Sequence, residues 1–406
     1  MQSHQHLPDS AYAWMRLAVA LIVGTMACGG SWTVVVVIPT VQAEFLTDRA
    51  GASIAYTLMM AGFASGTMMM GRIADRYGTV LPVMTAAVML GGGYALAAAA
   101  PNLAIFALAH LIIGLGTAAG FGLMMSDISH WFVKRRGLAV VIAACGSYLA
   151  GVVWPLLMNQ LMPLYGWRIT HYIIGGIIMA VMLPLASFFK VQPSHATMAA
   201  ADVAAAQGRA DLGVEPRTLQ MLLVLAGFAC CMAMAMPQVH IVAYCSDLGY
   251  GVARGAEMLS LMLGLGIFSR IASGFLADRI GGAGTLMIGS LMQGLALTLY
   301  LFFNGLSSLY IISGIFGLFQ GGIVPMYAVI AREYLPPREA GARIGLIIMA
   351  TMVGMAAGGY MSGVIFDATA SYRLAFLHGI LWNLVNLALA GWLFFNGRGR
   401  ALLARA

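Results

Sequence analysis

Charge is scarce in this sequence. Only 9% of its 406 residues are Asp, Glu, Lys or Arg, against about 25% in an ordinary soluble domain. Apolar residues make up 61%, and so few charges cannot coat a water-soluble body of that size. A soluble enzyme, a nucleic-acid binder and a disordered chain are excluded on this ground. Short alternating segments of the kind that build a membrane barrel are also lacking. Long apolar runs are there instead, so the chain reads as an all-α protein that crosses a membrane many times. The five cysteines, Cys28, Cys145, Cys230, Cys231 and Cys245, show neither metal spacing nor a disulfide framework and read as small packing residues. No paired His/Asp/Glu or Cys/His set lies at catalytic spacing, so neither an enzyme nor a resident cofactor or metal is expected. The polar start, Met1 to Ala13, has no small-residue cleavage site and is not expected to be a removable signal peptide.

A spanning helix needs about 20 mainly apolar residues. Twelve such runs are found, at 16–38, 51–71, 79–100, 103–126, 137–160, 168–189, 218–244, 255–276, 283–303, 306–330, 342–366 and 373–396; they are numbered here as spans one to twelve. The longest connection, 190–217, is Ala-rich with scattered polar residues and reads as a cytoplasmic linker. It divides an N-terminal six-helix bundle, 1–189, from a C-terminal one, 218–406. The 21 Lys and Arg outnumber the 14 Asp and Glu, and their placement explains the excess. With the N-terminus inside, sixteen fall on the cytoplasmic side. Four fall outside, at Arg49, Arg168, Arg254 and Arg373, and Arg270 lies between. This asymmetry predicts that both termini are cytoplasmic. It makes the basic balance a topology signal with attraction to anionic lipid, not a nucleic-acid signal.

The chain also repeats itself. Gly71-Arg-Ile-Ala-Asp-Arg-Tyr-Gly78 follows span two, and Gly274-Phe-Leu-Ala-Asp-Arg-Ile-Gly281 follows span eight, 203 residues later. Arg135-Arg-Gly-Leu138 matches Arg343-Ile-Gly-Leu346, and Gly166-Trp-Arg168 matches Ser371-Tyr-Arg373. Two pseudo-symmetric six-helix units in tandem are a common plan of secondary transporters.

The eight-residue loop and its second copy resemble the signature of the major facilitator superfamily. Within it, four stretches resemble the monocarboxylate transporters and the oxalate–formate type antiporters: Trp131-Phe-Val-Lys-Arg-Arg-Gly-Leu-Ala139, Tyr165-Gly-Trp-Arg168, His240-Ile-Val-Ala-Tyr-Cys-Ser-Asp-Leu-Gly249 and Gly363-Val-Ile-Phe-Asp-Ala-Thr-Ala-Ser-Tyr372. The resemblance implies the major facilitator fold, alternating access, and a carboxylate-binding arginine at Arg270. It implies the inner membrane of a bacterium as location and a single chain as the working unit. Two departures matter. Gly266 stands where the mammalian members carry an aspartate, which leaves proton coupling without its usual acidic carrier. Neither span one nor span eleven carries the second cation of related members, which favours a monoanion over a dianion.

From the residues alone, Arg270 is the one formal charge deep inside a run. A charge there costs roughly 2.5–3.5 kcal/mol on insertion scales and faces a cavity or a partner. A guanidinium grips a carboxylate with two parallel hydrogen bonds. The competing reading is a structural arginine that snorkels toward Asp278. His240 is the proton candidate, with a hydrogen-bonding helix-end histidine as the alternative. Trp32, Phe121, Tyr148, Tyr244, Gln238, Gln320 and Tyr327 are expected to complete a pocket of donors and apolar walls. Asp75, Arg76, Asp278 and Arg279 are expected to gate, because the resembled loop closes the cytoplasmic side. Glycines at four-residue spacing, including Gly62 with Gly66 and Gly354 with Gly358, are expected where the halves meet. The function expected is secondary transport of a small monocarboxylate, coupled to protons or to anion exchange. The alternative is efflux of drugs or hydrophobic compounds, disfavoured because no acid lies mid-span.

Overall fold

The computed structural model describes residues 9–47, 49–192 and 213–403, with Val203 and Ala206 besides. Every regular element among them is helical. Each of the twelve expected spans falls on helix. Eleven stretches are long and apolar enough to cross a membrane, and the second span is the 29-residue helix Arg49–Tyr77. Most of the expected linker, like residues 1–8 of the polar start, lies outside the described residues.

Two compact units emerge. One draws on Met1–Val133, Ile142–Met198 and Arg338–Met349; the other draws on Lys134–Val141, Ala199–Pro337 and Ala350–Ala406. Each therefore gathers one short segment from the far part of the chain, and both segments pack at the Asp loops described below.

Several spans are not single helices. Span one is Ala11–Ala27 followed by Gly30–Glu44, parted at Cys28 and Gly29. The opening sits against Trp154, whose Nε1 donates to the Thr25 carbonyl at 2.9 Å. Span four is Leu103–Thr117, a 3-10 turn Ala118–Gly120, then Gly122–Ser129. Span ten is Leu306–Gln320 and Ile323–Tyr334, parted at Gly321 and Gly322. Glycine at these breaks removes the Cβ and weakens the helix. Breaks of this kind free backbone carbonyls, which membrane proteins tolerate only where protein or a water-filled cavity receives them. Span five is Arg136–Ala144 and then, past Cys145, the helix Gly146–Ala186, which runs on through span six and bends at Gly166, whose φ of 74° only glycine adopts easily.

The close glycine contacts correct one expectation. A Cβ at Gly62 or Gly66 would strike the carbonyls of Leu111 or Leu115 in span four. A Cβ at Gly354 or Gly358 would strike those of Phe228 or Met232 in span seven. These pairs hold helices together inside their own unit. The reason is geometric: four-residue spacing marks a face suited to close approach but says nothing about which neighbour approaches.

Candidate functional site

Arg270 sits in the helix Val252–Ile280. Its neighbours Phe268, Ile271 and Phe275 form an exposed stripe, whereas Arg270 is only 4% exposed. The side chain is therefore turned inward, against the break in span ten. Its Nε donates to the Gly321 carbonyl at 3.0 Å. Next to it, Ser269 Oγ accepts the Gly322 N–H at 3.2 Å. Both freed backbone groups of the break are thus met from span eight. The approach is possible because Gly321 lies directly against Gly266, where any Cβ would run into the Gly266 carbonyl. The position that holds an aspartate in the resembled mammalian members is here a backbone contact.

One residue before the break, Gln320 is 1% exposed. Its Oε1 accepts from Gln238 Nε2 at 3.0 Å, and its Nε2 is buried without a hydrogen-bond partner among the described residues. An unmade hydrogen bond of this kind costs about 1–3 kcal/mol. Arg270 of span eight thus holds the Gly321 carbonyl, and the residue before it, Gln320, is bonded to Gln238 of span seven.

The other expected residues are distributed differently. Tyr327 is fully buried, with its hydroxyl 3.0 Å from the Ala226 carbonyl and 2.7 Å from Asn386 Oδ1. Asn386 continues to Ser290, and Asn383 ties Ser290 to Gln293. This interior network joins spans seven, nine, ten and twelve. His240 reaches the Gly359 carbonyl at 2.8 Å through Nε2, which makes that nitrogen a donor. Tyr244 packs on Tyr372 and Phe376 and lines an open cavity of about 380 Å³ at a loop end of the second unit. Trp32, Phe121 and Tyr148 belong to the first unit. Trp32 Nε1 donates to the Ser147 carbonyl at 3.1 Å, and Phe121 forms the break in span four.

The Asp loops are built alike. Asp75 accepts the N–H groups of Gly341 at 2.9 Å and Ala342 at 2.8 Å. Asp278 accepts those of Gly137 at 2.6 Å and Leu138 at 3.2 Å. Each carboxylate thus satisfies first-turn donors of a helix, where a negative charge is also favoured by the dipole. Role corrects the register of the repeat: Gly341, not Gly345, is the counterpart of Gly137, one helical turn earlier than residue identity suggested. Arg76 lies with its guanidinium 5.2 Å from the Tyr77 ring centre, and Arg279 is exposed in the last turn of its helix.

Sequence reasoning missed one charged pair. Arg16 and Asp127 form a bidentate bridge, with Nη2 to Oδ1 at 2.7 Å and Nε to Oδ2 at 2.8 Å, and both are buried. Thr79 donates to the same carboxylate at 2.6 Å. The signal was present as an Arg at the start of span one and an Asp at the end of span four, on one side of the membrane in the expected topology.

A family model described as the Major Facilitator Superfamily matches residues 20–313 and 274–404. The chain belongs to that superfamily. It is 24% identical to monocarboxylate transporter 13 of Bos taurus over 374 residues, covering 91% of this chain and 86% of that one. It is 23% identical to the agnestins efflux protein AgnL12 of Paecilomyces divaricatus over 345 residues, covering 84% and 78%. The solved outward conformation of FucP, a Major Facilitator Superfamily transporter, shares the fold. Its TM-score is 0.74 at 14% identity, covering 94% of this chain and 99% of that one. This Major Facilitator Superfamily protein is a multi-pass membrane transporter and not an enzyme.

Proposed function

We propose that this transporter moves a small monocarboxylate by alternating access, coupled to protons or to exchange of another anion. It sits in the cytoplasmic membrane of a bacterium with both termini inside. Arg270 is the positive anchor. The observation that carries the reading is a guanidinium turned inward at mid-span and bonded to the Gly321 carbonyl, next in sequence to Gln320, whose buried Nε2 has no hydrogen-bond partner among the described residues. A carboxylate is the group that matches both, accepting from the cation and from the amide. One anchor and an uncharged span eleven suit a monoanion. Asp75 and Asp278 serve as gates by holding helix starts in one state of the cycle.

Uptake of radiolabelled lactate, pyruvate, formate, acetate and oxalate into proteoliposomes, with and without an imposed pH gradient, tests this. The expected result is saturable uptake of at least one monoanion and none of oxalate. Arg270→Gln should abolish it, and Arg270→Lys should weaken it by at least about tenfold, because an ammonium cannot reproduce the planar two-bond grip. Wild-type uptake by Arg270→Gln defeats the proposal. The efflux reading of the same superfamily would instead give drug resistance on overexpression without carboxylate uptake.

A further inference from the structure

The internal repeat supplies its own control for the 380 Å³ cavity. At one loop end of the first unit, Arg168 ties three segments together. Its guanidinium bonds Glu44 at 2.6 and 3.1 Å and the carbonyls of Ala98 and Ala100 at 2.6 and 2.9 Å. It also stacks over Trp167, with 4.5 Å to the ring centre, and the Trp167 indole N–H donates to Glu44 at 2.5 Å. Burial raises the Glu44 carboxyl, but the hydrogen bonds of Arg168 and Trp167 and the charge of Arg168 outweigh it, and the group lies below its ordinary value.

The offset of 203 residues that relates Asp75 to Asp278 carries Glu44 onto Asp247, Ala98 onto Leu301 and Ala100 onto Phe303. The matched triplets carry Arg168 onto Arg373 and Trp167 onto Tyr372. All five second-unit residues line the cavity. The parts of the strap are present there, but the strap is not made. Among the described residues, neither the Asp247 carboxylate nor the Arg373 guanidinium has a hydrogen bond or ion pair. Both side chains are exposed, and two residue types differ from the first unit. Aspartate is one methylene shorter than glutamate, and tyrosine lacks the indole N–H that held Glu44 in place.

What fills the gap is aromatic. Tyr300 stacks on Phe376 at 4.8 Å and Phe366 on Tyr372 at 4.2 Å, with Tyr244 edge-on to Tyr372. The Tyr300 hydroxyl is bonded to Ser313 at 2.9 Å, so it is the ring that faces its neighbours in the wall. Ala370, also in the wall, takes a left-handed φ of 52°, a conformation that costs a non-glycine residue about 1–3 kcal/mol. The volume falls within the roughly 300–1,000 Å³ of small-molecule sites, and the composition of apolar walls with a few placed charges is theirs too.

We propose that this cavity is a second ligand site, separate from Arg270, for a small zwitterion with an aromatic or other apolar body. The carboxylate of the ligand pairs with Arg373, its ammonium pairs with Asp247, and its body lies on the rings. The ligand thereby bridges the gap that the first unit closes with the direct Arg168–Glu44 ion pair. A cation beside aromatic faces gains further from their quadrupoles.

The test is calorimetric binding to the full chain in lipid nanodiscs. The probes are L-phenylalanine, 3-phenylpropionate, which lacks the ammonium, and phenethylamine, which lacks the carboxylate. Saturable binding of L-phenylalanine is expected, at least about tenfold tighter than either analogue, as befits loss of one charged hydrogen-bonded contact. Asp247→Asn should erase the advantage over 3-phenylpropionate, and Arg373→Gln the advantage over phenethylamine. Arg373→Lys, which keeps both charges, should retain binding and guards against misfolding, whereas Asp247→Glu, with the reach of Glu44, should close the strap and weaken binding. Repeating the titration with Arg270→Gln separates this site from the transport site: binding should persist there. No saturable binding up to about 10 mM, equal binding of 3-phenylpropionate, or wild-type affinity in both charge-removing variants overturns the proposal.

Discussion

At the scale of single residues, buried charge is the feature with the largest consequences. Arg270 was legible because one cation interrupts a long apolar run. Arg16 and Asp127 were not, because each lies near a run's end, where a charge normally reaches water. In the structure both are enclosed. Arg16 also donates to the carbonyls of Phe188 and Val191 and packs over Trp131 and Phe189. Removing one partner of a buried pair leaves the other charge unpaired, which costs about 3–5 kcal/mol. Asp127→Asn keeps an acceptor for Thr79 but no charge for Arg16, so about 3 kcal/mol of lost stability is expected in detergent unfolding. The double variant Arg16→Gln, Asp127→Asn should recover most of it, since it leaves no orphaned charge. A single variant within about 0.5 kcal/mol of wild type would show that the pair is hydrated, as surface pairs are. The polar networks around Tyr327 and around Thr33 with Tyr94, joined at 2.7 Å, were visible only as isolated polar residues. Which of them would meet depends on helix rotation, which composition does not report.

At the scale of elements, run length gave the spans and their approximate ends, because length against membrane thickness is a one-dimensional quantity. The breaks in spans one, four and ten were hidden, since Gly and Cys are as apolar as their surroundings and leave hydropathy unchanged. These breaks decide where backbone carbonyls become available, and the one at Gly321 is what Arg270 holds. Gly321→Ala tests that contact, because its Cβ would enter the Gly266 carbonyl. Backbone cannot yield as a flexible side chain does, so spans eight and ten must separate and the Arg270–Gly321 bond lengthen. Loss of transport with lowered thermal stability is expected. Gly264→Ala is the control on the same helix. Nothing lies within 4 Å of its Cβ, and exchanging Gly for Ala inside a helix favours the helix by up to about 1 kcal/mol. It should leave stability unchanged or raised. Equal effects of the two substitutions would mean that the close approach at Gly321 is not what positions Arg270.

At the scale of the whole molecule, the repeat is the organising fact, and its two copies agree in one place and differ in another. They differ at Glu44/Arg168 and Asp247/Arg373, where one end is tied and the other open. They agree at Asp75 and Asp278, each bonding two N–H groups at the start of a helix. Identical construction implies comparable energies, and this gives the gating proposal a quantitative form. A charge at a helix start contributes about 0.3–1 kcal/mol at the surface and up to about 2 kcal/mol when partly buried. Asp75→Asn and Asp278→Asn should therefore each destabilise the state described here by about 1 kcal/mol, a roughly fivefold shift in its population. Under the gating proposal the bonds at each aspartate form and break once in every transport cycle, so each variant should slow turnover by a similar factor. The double variant should slow it by about the product, because the two loops share no bonding partner. Amounts of protein in the membrane should stay at the wild-type level, since neither carboxylate lies within an apolar run. Initial uptake rates of the four proteins, normalised to the reconstituted amount, decide the matter. A large effect at one aspartate and none at the other would show that the loops, though built alike, do not act alike in the cycle.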